Sequence, residues 1–308
     1  MPARMRIANA PVSFGVDEIL VDDAWMPEPD AILDIMVELE FDGTELGPPG
    51  YLGTADEVRE RLSSRGLQLV GSFLPQRFSR DDAAAEDRAW LKDSLRLVRD
   101  GSPDGSDPLA ILCDGFDARA RMAYAGRIHE HPETWLTEVG WRTLIDNLHR
   151  SAEIARDAGF EPVIHPHAGT YLETRDEIHR LLDMVDPSLV GLCLDTGHAR
   201  FGGSDPIELV ETYHELIRHV HVKDCSVAVL DDVRREGKGM EEALIRGAFT
   251  ELGNGDSGIG DVIAALQQHG YDRWLVIEQD RFLFAKDTME SLRESQRRNR
   301  DYLRGFGI

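Results

Sequence analysis

His219-Val220-His221-Val222-Lys223-Asp224 alternates an apolar residue with a polar one. Successive side chains of a β-strand point to opposite faces. If Val220 and Val222 pack outward against helices, then His219, His221 and Lys223 face the other way, into the interior of a barrel. The same reading extends along the chain in both directions. In Cys193-Leu194-Asp195-Thr196-Gly197-His198, outward Leu192 and Leu194 leave Cys193 and Asp195 inside. In Val276-Ile277-Glu278-Gln279-Asp280, outward Leu275 and Ile277 leave Val276 and Glu278 inside. In Val163-Ile164-His165-Pro166-His167-Ala168-Gly169-Thr170, outward Ile164 leaves Val163, His165 and, if the strand continues, His167 inside.

These runs belong to a longer rhythm. Short apolar stretches at 6–10, 43–46, 67–73, 109–113, 162–165, 190–194, 217–222 and 274–278 read as strands. Between them, 30–39, 137–158, 176–184, 206–216, 260–269 and 288–303 carry apolar residues at helical spacing. Alternating strands and helices imply a parallel sheet. Eight such units in 308 residues predict a (β/α)8 TIM barrel, a single α/β domain spanning 1–308. The alternative, a doubly wound open sheet that binds a dinucleotide, needs GxGxxG after its first strand. The first strand instead runs into Ala10-Pro11-Val12-Ser13-Phe14-Gly15. Two insertions interrupt the rhythm, near 114–133 and 226–260, the second ending in the turn-forming Gly253-Asn254-Gly255-Asp256-Ser257-Gly258. Long loops above a barrel commonly shape a substrate pocket.

Composition narrows the partners. With 57 acidic and 34 basic residues the formal net charge is −23. Such a surface repels nucleic-acid backbones and anionic membranes, which predicts neither as a partner but leaves small molecules open. Three widely spaced cysteines, Cys113, Cys193 and Cys225, predict no disulfide framework and suit a reducing cytoplasm. The opening MPARMRIANAPVSFG lacks the apolar core of a signal peptide, and no apolar run approaches the ~18 residues of a membrane span. The expected location is cytoplasmic.

The chemistry lies at the strand ends. Histidine, aspartate, histidine and glutamate converge from four consecutive strands: His165 or His167, then Asp195, His221 and Glu278. A lone strand-end residue of this kind is more often a cap or a hydrogen-bonding group; Asp195 fits a helix cap, and His219 a buried structural histidine one layer down. Four together with inward parity point to a metal. A mixed imidazole and carboxylate set suits Mn²⁺, Co²⁺, Fe²⁺ or Zn²⁺ better than Mg²⁺ or Ca²⁺. Glu45 shares inward parity with Gly43 and ends the second strand. Lys223 and His198 are expected to bind substrate oxygens, and Trp25, Phe73 and Gln76 to line the rim.

LDTGH at 194–198, HVHVKD at 219–224 and VIEQD at 276–280 resemble the xylose isomerase-like sugar isomerase/epimerase superfamily, which includes the endonuclease IV enzymes. Within it the chain looks most like the inosose dehydratase family. Three segments carry that likeness: HPHAGTYLETRDEIHRLL (165–182), the join of HVHVKD to VLDDVRREGKGMEEALIRGAFTELGNGD (229–256), and APVSFG with FDGTELGPPGYL (41–52). The resemblance implies a cyclitol lyase of inositol catabolism that removes water from 2-keto-myo-inositol and uses Mn²⁺ or Co²⁺. It places the metal on His165, Asp195, His221 and Glu278. One departure stands out. Most of the superfamily has a glutamate ligand where this chain has His165, and a two-base epimerase uses that glutamate with the strand-eight glutamate. His167 shares the parity of His165, so the two are open to exchanging roles.

On this reading a metal-stabilised enediolate forms when an α-proton leaves, taken by His167 or Glu278. Glu45, Lys223 or His198 then protonates the departing β-hydroxyl. Loss of the hydroxyl makes a dehydratase; reprotonation elsewhere makes a ketose or sugar phosphate isomerase or epimerase. A third outcome is elimination from a 3-keto-C-glycoside, as in relatives that work with a small partner subunit. Endonuclease activity is disfavoured by the negative surface. Barrels of this superfamily often pair, which predicts a homodimer or homotetramer.

Overall fold

The structure is a computed structural model that describes residues 5–17 and 21–308. Residues 1–4, the beginning of the stretch read for a leader, lie outside the described residues. Eight parallel strands close into a barrel in chain order. They are β1 (Arg6–Asn9), β2 (Gly43–Glu45), β3 (Gln68–Gln76), β4 (Leu109–Asp114), β5 (Pro162–His165), β6 (Gly191–Asp195), β7 (Ile217–Val222) and β8 (Trp274–Ile277). β8 pairs back onto β1, Ala8 beside Val276. The chain thus forms the expected (β/α)8 barrel. Among the described residues, no helix is long and apolar enough to cross a membrane, and none of the three cysteines is in a disulfide.

Strand parity follows the sequence pattern, because each strand divides its side chains between two cores. Leu192, Leu194, Val220, Val222, Leu275 and Ile277 join the large outer core with helix residues such as Leu33, Leu148 and Leu266. Ala8, Ala10, Val70, Trp274 and Val276 form one cluster inside the barrel. Leu109, Ile111, Val163 and Cys193 form another. These inner clusters fill the middle of the barrel and separate an Arg6–Gln68 pair at its N-terminal end from the ligand-type side chains at the top.

One strand reading shifts by more than a residue, and β5 keeps its expected bounds. β3 continues to Gln76 through Pro75, past the end expected at residue 73. Proline lacks the N–H that a ladder needs, which makes it a natural stopping signal. Pairing along β4, with Gln76 beside Asp114, carries the strand on regardless. β5 opens on Pro162, the strand position where a missing donor is tolerated.

Both insertions are folded. The first carries a short helix, Arg119–Tyr124, and two 3₁₀ turns. The second carries helices Val227–Arg235 and Met240–Ile245 and an antiparallel ribbon pairing Asp224–Cys225 with Phe249–Thr250. Phe249, Leu230, Val233, Met240 and Leu244 build a small separate core with Phe201 and Ala168, and this core seats the insertion on the loop after β5.

Candidate metal centre

β6 ends where a helix begins, and Asp195 serves both. Its Oδ1 accepts from the backbone N–H of Gly197 (2.8 Å) and His198 (2.9 Å), capping helix Thr196–Phe201. Its Oδ2 turns inward, 3.4 Å from His165 Nε2 and 3.6 Å from His221 Nδ1. The cap reading of Asp195 holds and uses one oxygen, which leaves the other turned toward the two histidines. Glu278 Oε2 lies 3.0 Å from His221 Nδ1. The ligand atoms of His165, Asp195, His221 and Glu278 all lie within 4.8 Å of one another, and all four residues are buried.

This set fits a divalent cation. Donors about 2.1 Å from one ion stand roughly 3.0–3.4 Å apart in octahedral or tetrahedral arrangement. The 3.0, 3.4 and 3.6 Å separations approach those edges. His221 Nδ1 is close to Glu278, yet it makes no aligned hydrogen bond. Its other nitrogen, Nε2, lies 2.9 Å from Glu45 Oε1. A proton on Nε2 donated to Glu45 leaves the Nδ1 lone pair aimed at the shared point. Such a carboxylate behind an imidazole orients a metal-binding histidine.

Glu45 reaches this position from across the barrel, and the same Oε1 also lies 2.8 Å from His219 Nε2. Burial opposes its charge, but the His221 and His219 imidazoles prevail and hold its carboxyl well below the usual range. A carboxylate held ionised in this way has no proton to give, so the geometry does not suit the proton-donor role expected of Glu45. It orients His221 instead, and His219 lies one layer down as its second partner.

Lys223 is buried and crowded by acids. Its Nζ lies 3.0 Å from Asp195 Oδ2, 2.9 Å from Glu278 Oε2 and 2.8 Å from Asp280 Oδ1. Burial disfavours the ammonium, but these three carboxylates hold its pKa well above the ordinary lysine value. The backbone is pinned as well: Thr196 Oγ1 donates to the Lys223 carbonyl (2.7 Å) and accepts from its N–H (2.9 Å). His198 lies 3.0 Å from Lys223 Nζ and 3.3 Å from Asp280 Oδ2.

His167 stands apart from the donor set. β5 ends at His165, and the following Pro166 turns the chain out of the sheet. His167 Nδ1 donates to the Ala168 carbonyl at 2.7 Å, which leaves the Nε2 lone pair available. Its ring packs on His198 (centroids 3.5 Å apart) and on Phe116 (4.9 Å). Burial, then the neighbouring charges of His198, His165 and Lys223, push its pKa well below the ordinary histidine value. Of the two histidines, His165 brings its ring nitrogen into the group with Asp195, His221 and Glu278, and His167 falls with His198 and Asp280.

A pocket opens above these groups. Its polar floor is Glu45, His165, His167, His221, Lys223, Glu278 and Asp280; its walls are Ala10, Pro11, Val12, Val16, Asp17, Gly47, Pro48, Phe73, Phe116, Met240 and Leu244. Both insertions contribute, Phe116 from the first and Met240 and Leu244 from the second. Phe73 lines the pocket as expected. Gln76 does not: its Oε1 accepts from Ser151 on the outside of the barrel. Trp25 lies elsewhere too, bonded to the backbone of Leu283 and Phe284. Sequence reasoning passed over Asp280, although VIEQD contains it. Its distance of two residues from Glu278 was the available signal.

Comparison with known proteins agrees with this architecture. Residues 33–302 match the family described as xylose isomerase-like TIM barrel. A relative from Geobacillus kaustophilus, named inosose dehydratase, is 34% identical over 287 residues, covering 89% of this chain and 87% of its own length. Among solved structures, the IOLI protein with a binding zinc atom superposes with a TM-score of 0.69 at 16% identity, covering 96% of both chains. A xylose isomerase-like TIM barrel/4-hydroxyphenylpyruvate dioxygenase fusion protein superposes with a TM-score of 0.71 at 18% identity, covering 99% of this chain and 45% of that one.

Proposed function

This chain belongs to the xylose isomerase-like TIM barrel family, and on that premise we propose that it dehydrates a keto-cyclitol such as 2-keto-myo-inositol. What carries the reading is one juxtaposition: a metal donor set, a neutral imidazole and a buried ammonium–imidazole pair around one pocket. The name of the Geobacillus relative directs it to inosose and to loss of water.

The metal, Mn²⁺ or Co²⁺ on this reading, would be held by His165, Asp195, His221 and Glu278 and would supply Lewis acidity to the substrate's carbonyl group. Glu45 keeps the Nε2 proton of His221 in place, which leaves Nδ1 as the donor. His167 Nε2 takes the α-proton, because its other nitrogen is committed to the Ala168 carbonyl. The C–H electrons form the new double bond as the β-hydroxyl leaves. That hydroxyl takes a proton from the Lys223–His198 pair, whose nitrogens are 3.0 Å apart, and departs as water. The Phe73 and Phe116 rings pack against His167, their centroids 6.1 and 4.9 Å from its own.

One observation weighs against a phosphorylated sugar. Among the described pocket-lining residues the sole cation is Lys223, and three carboxylates already surround it. A phosphate would meet Asp17, Glu278 and Asp280 with no arginine to bind it. A neutral polyol suits the floor better.

The test is a mass measurement. Protein stripped with EDTA should be inactive, and Mn²⁺ or Co²⁺ should restore turnover of 2-keto-myo-inositol to a product lighter by one water. A product of unchanged mass and altered retention would replace dehydration by isomerisation. Full turnover without metal would remove the metal from the mechanism.

A further inference from the structure

A second group of metal-type donors stands beside the first. His167, His198 and Asp280 also bring ligand atoms within 4.8 Å of one another. Two adjoining clusters of this kind are the ordinary preparation for a pair of divalent ions. Here, however, a side chain reaches between them. Lys223 Nζ is 2.8 Å from Asp280 and 3.0 Å from His198, both of the second group. It is also 3.0 Å from Asp195 and 2.9 Å from Glu278, both of the first.

We infer that Lys223 is a tethered ammonium standing in the place of a second metal ion, so that the pocket takes up one divalent cation and keeps the His167–His198–Asp280 group metal-free. The inference rests on the metal-centre reading given above. The ammonium sits 2.8–3.0 Å from one oxygen of each of three carboxylates and donates to His198 Nε2 at 3.0 Å. A ring nitrogen whose lone pair accepts from the ammonium is not offered to a metal. The place is built for the lysine. Gly197 leaves room for its stem, since a Cβ there would lie 2.5 Å from Lys223 Cγ. The Phe249 ring lies 5.1 Å from Nζ. The consequence for the reaction is that His167 and His198 stay free of metal and able to move protons.

The experiment counts metal, independently of turnover. Wild-type protein is saturated with Mn²⁺, desalted, and measured by elemental analysis and electron paramagnetic resonance. The expected result is one Mn²⁺ per chain with the spectrum of an isolated ion. Lys223→Met, which keeps the stem and removes the charge, should take up two and show exchange coupling between them. Adding Asp280→Asn to that variant should return the count to one. Two ions in wild type, or one in a folded Lys223→Met, would overturn the inference while leaving the metal centre standing. No ion in wild type would overturn the metal centre itself. If Lys223→Met does not fold, titration of wild type to high Mn²⁺ decides alone: a coupled pair refutes the inference and an isolated ion sustains it.

Discussion

Gly197 lacks a side chain at the point where Lys223 passes. Its backbone is helical and needs no glycine on conformational grounds, so the requirement is spatial. Alanine there would place a methyl 2.5 Å from Lys223 Cγ and 2.9 Å from its Cβ. The lysine stem would have to shift, and displacements of about 1 Å in such sites cost on the order of a hundredfold in rate. We therefore expect Gly197→Ala to fold, to melt below wild type from the overpacking, and to lose turnover by roughly that factor. An unchanged kcat would mean that Lys223 has room to spare. At this scale much was legible. Alternation along β5 to β8 was enough to group Asp195, His221 and Glu278 with one of His165 and His167, because parity is a local property of a strand, and the family resemblance pointed to His165. The role of Glu45 was not, since its bonds to His219 and His221 span 174 and 176 residues of sequence. Neither was the second use of Asp280, which depends on where the tip of Lys223 comes to rest.

The second insertion depends on a single carboxylate. Asp224 accepts four backbone N–H groups: Cys225 (3.0 Å) and Ser257 (3.0 Å) on Oδ1, Gly253 (2.9 Å) and Gly255 (3.0 Å) on Oδ2. Gly255 is small for this reason, because a Cβ would lie 2.5 Å from Oδ1. Removing the carboxylate strands four donors together, those of Cys225 and Ser257 buried. Asp224→Ala should destabilise the protein by about 3 kcal/mol in urea unfolding, more than a typical surface change. An unchanged midpoint would show that the turn holds itself. The turn residues 253–258 were readable from their glycines, but their anchor was not, because Asp224 looked like the tail of the HVHVKD strand. Helices Ala55–Arg65 and Ala84–Gly101 were likewise not singled out from periodicity. The first buries only Val58 and Leu62, and the second mixes Ser94 and Gly101 into its buried face. For Ala55–Arg65 the clearer signals are at its ends: a Thr54–Glu57 capping box and Gly66 in the left-handed conformation at φ 69°.

Over the whole molecule, acid–base balance couples folding to pH through two buried carboxyls. Asp114 accepts from the Tyr171 N–H, and Glu173 from Gly126 and Gly169, so both fasten the first insertion to the loop after β5. Burial raises each to about 7. Both values exceed those of the unfolded chain, so the folded state binds more protons. Their stabilising contribution is complete below the unfolded values and is lost as pH rises through about 7. The depressed imidazoles of His167, His198 and His219 act in the opposite sense as pH rises toward the ordinary histidine value, so the carboxyl contribution is read as a difference. Between pH 5 and pH 8 the melting temperature of metal-free Glu173→Gln should fall less, or rise more, than that of wild type. Parallel pH profiles for the two proteins would contradict the assignment. The barrel and its net charge were legible because they are sums over many residues; these two carboxyls were not, because burial is set by neighbours distant in sequence. The arrangement at Asp224 also has a practical corollary. The insertion leaves the barrel at Asp224 and returns at Ser257, both held by the same carboxylate. It is therefore hinged at one post, like a page in a ring binder. Exchanging residues 227–248 would replace Met240 and Leu244 in the pocket wall while leaving Phe249 against Lys223 and the eight strands in place. The wall of this pocket can thus be exchanged separately from its polar floor.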